Sequence, residues 1–250
     1  MKIVILAGGL GTRLGQITSK IPKPMVKIGN KPILWHLINF YSSHGFDDFI
    51  IALGYKSKII KEFFFAKKIK IKNKTNQIKC ESLKGKLINI KLVNTGSYTF
   101  TGGRLLRLKK FLKDDTFMLT YGDGLSNINI SRLLKFHKKH KKIATVSGVH
   151  PIARFGELNI KGTKVKNFKE KPQINKGWIN GGFFVFEPKI FKYLNNDKTI
   201  LEGKPLEKLA KTGELMAYLH DGFWYCMDTP RDKDTLEEMW RKKNAPWKKW

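Results

Sequence analysis

Acidic residues are scarce in this chain: 20 Asp and Glu stand against 49 Lys and Arg, a formal net charge of +29 over 250 residues. Cysteine is scarcer still. The two present, Cys80 and Cys226, are far apart and outside any metal-ligand spacing, which excludes a disulfide framework and makes a reduced, cytoplasmic compartment the expected setting. The six histidines form no HExxH pair, so zinc chemistry has no support. No apolar run approaches the roughly 20 residues that span a bilayer. The chain starts with one Lys, a short apolar stretch and then glycines, without the small-residue cleavage site of a signal peptide. Internal repeats are lacking as well.

Positive charge on this scale often marks a nucleic-acid or anionic-membrane surface. Here the lysines run along the whole chain, as in Lys67–Lys74 and Lys138–Lys142, and outnumber arginines in a way a phosphate-reading surface would not favour. A lysine-biased composition is the plainer reading. Either way, anionic substrates are attracted from a distance, less so as salt rises. With 41% hydrophobic and 12% aromatic residues, the chain has the material for one large folded domain.

Periodicity predicts a βαβα alternation in the first part. Lys2–Ala7, Phe49–Leu53, Leu87–Val93, Phe117–Tyr121 and Ala144–Gly148 read as strands; Pro32–Ser43, Lys56–Phe65, Gly102–Leu112 and Asn129–His140 read as helices. This alternation implies an α/β fold, Rossmann-like, with a mixed, mostly parallel sheet flanked by helices. After His150 the pattern changes to strands Glu157–Ile160, Val165–Phe168 and Ile179–Phe186 separated by turns, a smaller antiparallel portion. Helices Pro188–Tyr193 and Pro205–Lys211 follow, with a last strand at Phe223–Met227. Lys67–Gly85, polar and poorly periodic, reads as a long loop.

The first chemical motif is GGLGTR, Gly8–Arg13, at the end of the opening strand. Glycines permit positive φ and let backbone N–H groups close around a phosphate. Neither GxGxxG nor GxxxxGK followed by Ser or Thr is present; this loop ends instead in a hydroxyl, Thr12, and a guanidinium, Arg13. A glycine turn with a surface Arg is the alternative. Ten residues on, IPKPM holds Lys23 between two prolines that stiffen the backbone and present a compact positive charge. YGDG places Asp123 at a strand's carboxyl end, where open parallel sheets bind ligands, as a Mg²⁺ ligand or a turn residue. Asp228, in MDTPRD, follows another apolar strand and precedes a helix; it, or Thr229, suits an N-cap with Pro230 in the first turn, and it suits metal binding equally. In KEKP, Glu170 could accept from sugar hydroxyls while Lys171 neutralises a phosphate, although such a turn is often merely solvated. Asn180, with Gly181 and Gly182, makes a turn where backbone can approach a ring. In TFTGGRLLRL, Thr99 lies near a helix start that favours anions, and Arg104 and Arg107 could reach a ligand or line a helix face.

Taken together, ILAGGLGTRL, KPMVKIGNKPILWH, TGGRL, TYGDG, RFG, EKP, NGGFF, MDTPRDKDTLE and APWKKW resemble the nucleotidyltransferases that make nucleoside-diphosphate sugars. TGGR, its spacing to GDG, and the APWK ending are similar to the cytidylyl branch of that family. The Lys67–Gly85 region departs from the pattern in being shorter and more basic. The resemblance implies a single domain, 1–250, whose residues 1–150 mainly bind nucleotide and 151–250 mainly bind sugar phosphate. It implies that Leu6, Ala7, Gly8 and Gly9 hold cytosine and ribose through backbone groups, and that Gly11, Thr12 and Arg13 cradle the triphosphate with Lys23. Arg13 and Lys23 would be the catalytic pair. Thr99 and Arg104 would select CTP, Asp123 and Asp228 would hold Mg²⁺, and Glu170, Lys171 and Asn180 would bind glucose 1-phosphate. The expected product is CDP-glucose for lipopolysaccharide O-antigen synthesis, made by a homo-oligomer without nucleic-acid or membrane partners. The rivals are a UTP-, dTTP- or GTP-dependent relative and, in another class, a non-catalytic basic protein that binds nucleic acid.

Overall fold

A computed structural model describes residues 1–66, 70–72, 77–82, 85–151, 157–161, 163–169 and 177–250. The opening strand, Lys2–Ala7, is parallel to Asp48–Leu53 on one side and to Phe117–Tyr121 on the other. It alternates its side chains between two apolar clusters. Ile3, Ile5 and Ala7 face one; Val4 and Leu6 face the other. A strand apolar on both faces is what a sheet covered by helices on both sides requires.

From this centre the chain builds outward in one direction, through Asp48–Leu53, Leu87–Asn94, Gln77–Glu81 and Lys70–Lys72. It then crosses back to lay Phe117–Tyr121, Ile179–Phe186, Ala144–Val149 and Leu215–His220 on the other side. The reversal falls between Lys2–Ala7 and Phe117–Tyr121. That is a topological switch point, where the carboxyl ends of adjacent parallel strands diverge and leave a crevice. Ile179–Phe186 runs antiparallel to both its neighbours, so the sheet is mixed and mostly parallel, as the alternation predicts.

The predicted strands and helices are found within a residue or two of their expected limits. Four differences stand out. Pro188–Tyr193 is 3₁₀ rather than α. The predicted helix Gly102–Leu112 is two short helices, Thr101–Arg107 and Lys109–Leu112. Leu215–His220, half-buried at the sheet edge, is an additional strand. Lys67–Gly85, expected as a loop, carries the strands Lys70–Lys72 and Gln77–Glu81. In the latter Ile78 and Cys80 are buried while Gln77, Lys79 and Glu81 are exposed; the two-residue period is real but spans only five residues in a lysine-rich setting.

Two small pairings matter more for the site than the main sheet does. Gly124–Ser126 pairs antiparallel with Trp224–Cys226, matching Gly124 to Cys226 and Ser126 to Trp224. One step further, the Met227 N–H donates to the Asp123 carbonyl at 2.9 Å. The C-terminal segment secures this region: fully buried Trp247 stacks on Phe223 at 5.6 Å and its Nε1 donates to His36 Nδ1 at 3.4 Å. The other His36 nitrogen, Nε2, donates to the Ile28 carbonyl at 2.9 Å, and burial brings this imidazole down to about 4, so it stays neutral in the fold.

Candidate active site

At the switch point a cleft of about 630 Å³ opens, within the size range of small-molecule sites. One wall is the glycine-rich loop. Gly11 adopts the left-handed region at φ 69° and leads into the 3₁₀ turn Thr12–Leu14; a side chain at Gly11 would meet Lys23 Cβ at 3.0 Å. Gly8, Gly9, Gly11, Thr12 and Arg13 line the cleft, with Leu6 at its base. Ala7 is fully buried in the core below them.

Lys23 enters from the turn after the loop, where Pro22 precedes a short 3₁₀ segment, Lys23–Met25. Its Nζ lies 2.6 Å from Asp123 Oδ2 and 2.5 Å from Asp228 Oδ1, and Arg13 Nη1 reaches the other Asp228 oxygen at 2.7 Å. Burial alone would make the Lys23 ammonium easier to deprotonate; Asp123 and Asp228 outweigh it and raise the pKa above the ordinary lysine value. Two carboxylates and two cations thus form one compact cluster, brought together by the pairing of Gly124–Ser126 with Trp224–Cys226.

Asp228 does not cap the following helix. Thr229 does: its side chain accepts from the Asp232 N–H at 3.2 Å, and Asp232 Oδ2 accepts from the Thr229 N–H at 2.7 Å, a reciprocal capping box. The Asp228 carboxylate is left for Lys23 and Arg13. Ligand atoms of Asp123, Asp228 and Cys226 all lie within 4.8 Å of one another. Carboxylate oxygens at strand ends fit a hard divalent cation that keeps most of its shell for water and phosphate. Cys226 fits such a set poorly, because a soft thiol is a weak ligand for a hard cation; burial and the Asp123 carboxylate push its thiol up.

Arg104 stands apart from the other basic groups of the cleft. It is 4% exposed, and both terminal nitrogens are engaged by the protein. Nη1 donates to Gly96 O at 2.6 Å and Thr95 Oγ1 at 2.9 Å; Nη2 donates to Gly8 O at 2.8 Å. A Cβ on Gly8 would sit 2.2 Å from Nη1, so glycine there admits the guanidinium. Arg104 staples the glycine loop to the ends of two neighbouring strands while lining the cleft beside Thr99. Arg107 is turned away into a bidentate pair with Asp197 at 2.8 and 2.5 Å.

The opposite wall carries Asn180, Gly181 and Gly182. Gly182 has φ 78°, and a Cβ there would meet the Tyr121 ring at 2.5 Å, so the glycine makes room for Tyr121. The Tyr121 hydroxyl donates to Glu202 and accepts from Asn180 Nδ2 at 3.4 Å. Thr101 Oγ1 donates to the second Glu202 oxygen at 2.6 Å. Burial and the nearby Glu202 carboxylate push the Tyr121 phenol far up, so it remains a donor. Tyr121 and Thr101 lie inside the YGDG and TGGRL motifs without being singled out by them, and Glu202 lies in a turn with no motif around it. Glu170 and Lys171 lie outside the described residues.

The chain matches the model of the nucleotidyl transferase family over residues 2–238. It is 48% identical over the full length of both chains to a glucose-1-phosphate cytidylyltransferase of Salmonella typhimurium, and 42% identical, again over both full lengths, to a probable glucose-1-phosphate cytidylyltransferase of Bacillus subtilis. The crystal structure of HddC from Yersinia pseudotuberculosis superposes with a TM-score of 0.72 at 26% identity, covering 96% of this chain and 99% of that one. With its glycine-rich loop, its strand-end acids and a full-length likeness of this kind, the chain belongs to the nucleotidyl transferase family.

Proposed function

We propose that this nucleotidyltransferase joins CTP and glucose 1-phosphate to give CDP-glucose and pyrophosphate. The reaction class rests on one observation above all, the convergence of Arg13, Lys23, Asp123 and Asp228 in the switch-point cleft. The choice of substrates rests on the full-length relatives.

Both reactants are polyanions, so their mutual repulsion and the charge that builds on the transferring phosphoryl group are the main obstacles. An oxygen of the sugar phosphate attacks the α-phosphorus of CTP, and pyrophosphate departs from the opposite side. The attacking phosphate is already ionised, so no general base is required. Arg13 and Lys23 place cationic donors against the phosphoryl oxygens where charge develops, and the backbone of Gly8–Thr12 holds the triphosphate in line. Leu6, Gly8 and Gly9 take the base and ribose, with Thr99 beside them, while Ala7, expected among them, is fully buried behind the loop; Arg104 holds the loop in shape. Nucleotidyl transferases generally use divalent metal ions; we assign Mg²⁺ to Asp123 and Asp228, where it would neutralise phosphate charge. Glu170, Lys171 and Asn180 hold the glucose 1-phosphate, and the working form is a homo-oligomer in the cytoplasm.

One assay tests this reading. Pure protein is incubated with glucose 1-phosphate and each nucleoside triphosphate in turn, with Mg²⁺ and with chelator, and pyrophosphate release is measured. CTP is expected to turn over best, and only with the metal. A preference for UTP, dTTP or GTP reassigns the base; turnover undiminished by chelator removes the metal assignment.

A further inference from the structure

Glu202 is an anomaly in a cleft that takes two polyanions. It is an exposed carboxylate lining the site, and among the described residues no ion pair involves it. A phosphate placed against it would be repelled. Its two oxygens are nevertheless held in place: Tyr121 donates to one and Thr101 to the other. Thr101 is fixed in turn, its Oγ1 accepting from the Leu201 N–H at 2.9 Å. Tyr121 is fixed by Gly182 beneath its ring and by Asn180. A carboxylate oxygen has two acceptor positions, so each Glu202 oxygen keeps one for a ligand. A carboxylate so oriented is built to accept hydrogen bonds from neutral donors, and the donors a sugar offers are hydroxyl groups.

Its position relative to the charged cluster says which part of the substrate it meets. Tyr121 ends its strand two residues before Asp123 and donates to Glu202, and all three line the cleft, so Glu202 is one side chain removed from the Lys23 cluster. A sugar phosphate with its anionic group at Lys23 and Arg13 carries its ring across Tyr121 and Gly182 toward Glu202.

We propose that Glu202 is a specificity-determining residue of the cleft: it accepts hydrogen bonds from ring hydroxyls of the sugar 1-phosphate and, by its charge, excludes sugars bearing a further negative group. This rests on the reading of the chain as a sugar-1-phosphate nucleotidyltransferase and adds a residue to it. The two oxygens suit a pair of adjacent hydroxyls better than a single one.

The test compares wild type with Glu202→Gln and Glu202→Ala, using glucose 1-phosphate, its 2-, 3-, 4- and 6-deoxy analogues, and glucuronic acid 1-phosphate. Wild type is expected to lose about 10- to 100-fold in kcat/KM for the deoxy sugar that lacks a hydroxyl bound by Glu202, the range for hydrogen bonds to a charged group. In Glu202→Ala that same deletion costs nothing further, while the KM for CTP stays at its wild-type value. Glu202→Gln narrows the gap between glucuronic acid 1-phosphate and glucose 1-phosphate. Equal losses for every deoxy sugar in wild type and variants, or a rise in the KM for CTP alone, overturn the assignment. If wild type instead turns over another pair of substrates, the choice of glucose and CTP fails, and the same comparison, run on deoxy and uronic forms of the sugar that is used, still decides the role of Glu202.

Discussion

At one end of the cleft, Lys23 lies 2.6 Å from Asp123 and 2.5 Å from Asp228, with Arg13 closing the group at 2.7 Å. At the other, the Tyr121 and Thr101 hydroxyls donate to Glu202, and the Asn180 amide donates to the Tyr121 hydroxyl behind it. The first end holds opposite charges that neutralise one another, so an incoming phosphate or metal ion exchanges one strong partner for another. At the second end a single negative charge is oriented by neutral donors and has acceptor capacity to spare. The contrast follows the chemistry of a sugar phosphate, which is anionic at one pole and a polyol at the other. It also separates the expected consequences of mutation: the charged end governs turnover, and the neutral end governs which sugar is accepted.

Arg13→Ala is the hardest test of that separation. Arg13 is largely exposed and, among the described residues, held to Asp228 alone, so its removal should leave the fold intact. If it meets charge that develops only in the transition state, kcat falls by roughly 10²–10³ while the KM for the sugar phosphate changes little. A folded variant with near-wild-type kcat would break the comparison, because the charged end would then be a structural ion-pair network.

The two ends also differ in how far the sequence reveals them. Gly8–Arg13 and Lys23 are legible as cleft residues because each sits in a short local pattern, a strand running into glycines or a Lys between prolines; Asp123, which the sequence leaves open between a metal ligand and a turn residue, lines the same cleft. Asp228 is ambiguous in the sequence because a strand-end Asp before a helix suits a cap as well as a metal. The decision depends on Thr229 and Asp232 completing the cap without it, and on two three-residue strands pairing across about a hundred residues of chain. Arg104 is likewise undecided by helical periodicity, which places it on a face but does not show that Gly8, Thr95 and Gly96 offer acceptors there. Glu202 leaves no trace in the sequence. Its meaning comes from Tyr121 and Thr101, which lie roughly 80 and 100 residues away. The main sheet is legible in its centre, where strands are apolar on both faces. It fades at its edges, where Gln77–Glu81 and Leu215–His220 are half polar.

Gly182→Ala tests the neutral end without touching a charge. At φ 78° an alanine is strained, and its Cβ would press on the Tyr121 ring at 2.5 Å, so stability falls by about 1 kcal/mol or more. The displaced phenol loosens its hold on Glu202. The KM for glucose 1-phosphate rises while the KM for CTP holds, as read from paired titrations, with thermal unfolding as the measure of stability. Equal rises in both KM values would mean that the two walls of the cleft act as one unit.

The smallest effect concerns the surface as a whole. With 49 basic and 20 acidic residues, the chain carries a strongly positive net charge, whose field acts over a Debye length that shrinks from about 30 Å at 0.01 M salt to about 3 Å at 1 M. Attraction at a distance scales with the charge of the substrate, and CTP carried as its Mg²⁺ complex is about as negative as glucose 1-phosphate. Raising sodium chloride at fixed Mg²⁺ should therefore increase both KM values several-fold. It should leave kcat nearly constant, because the proposed contact of the mostly buried Lys23 with bound phosphate would be short and screened little. If kcat falls in parallel with 1/KM as salt rises, screening reaches into the bound complex, and the charged end is more open to water than the 10% exposure of the Lys23 side chain indicates.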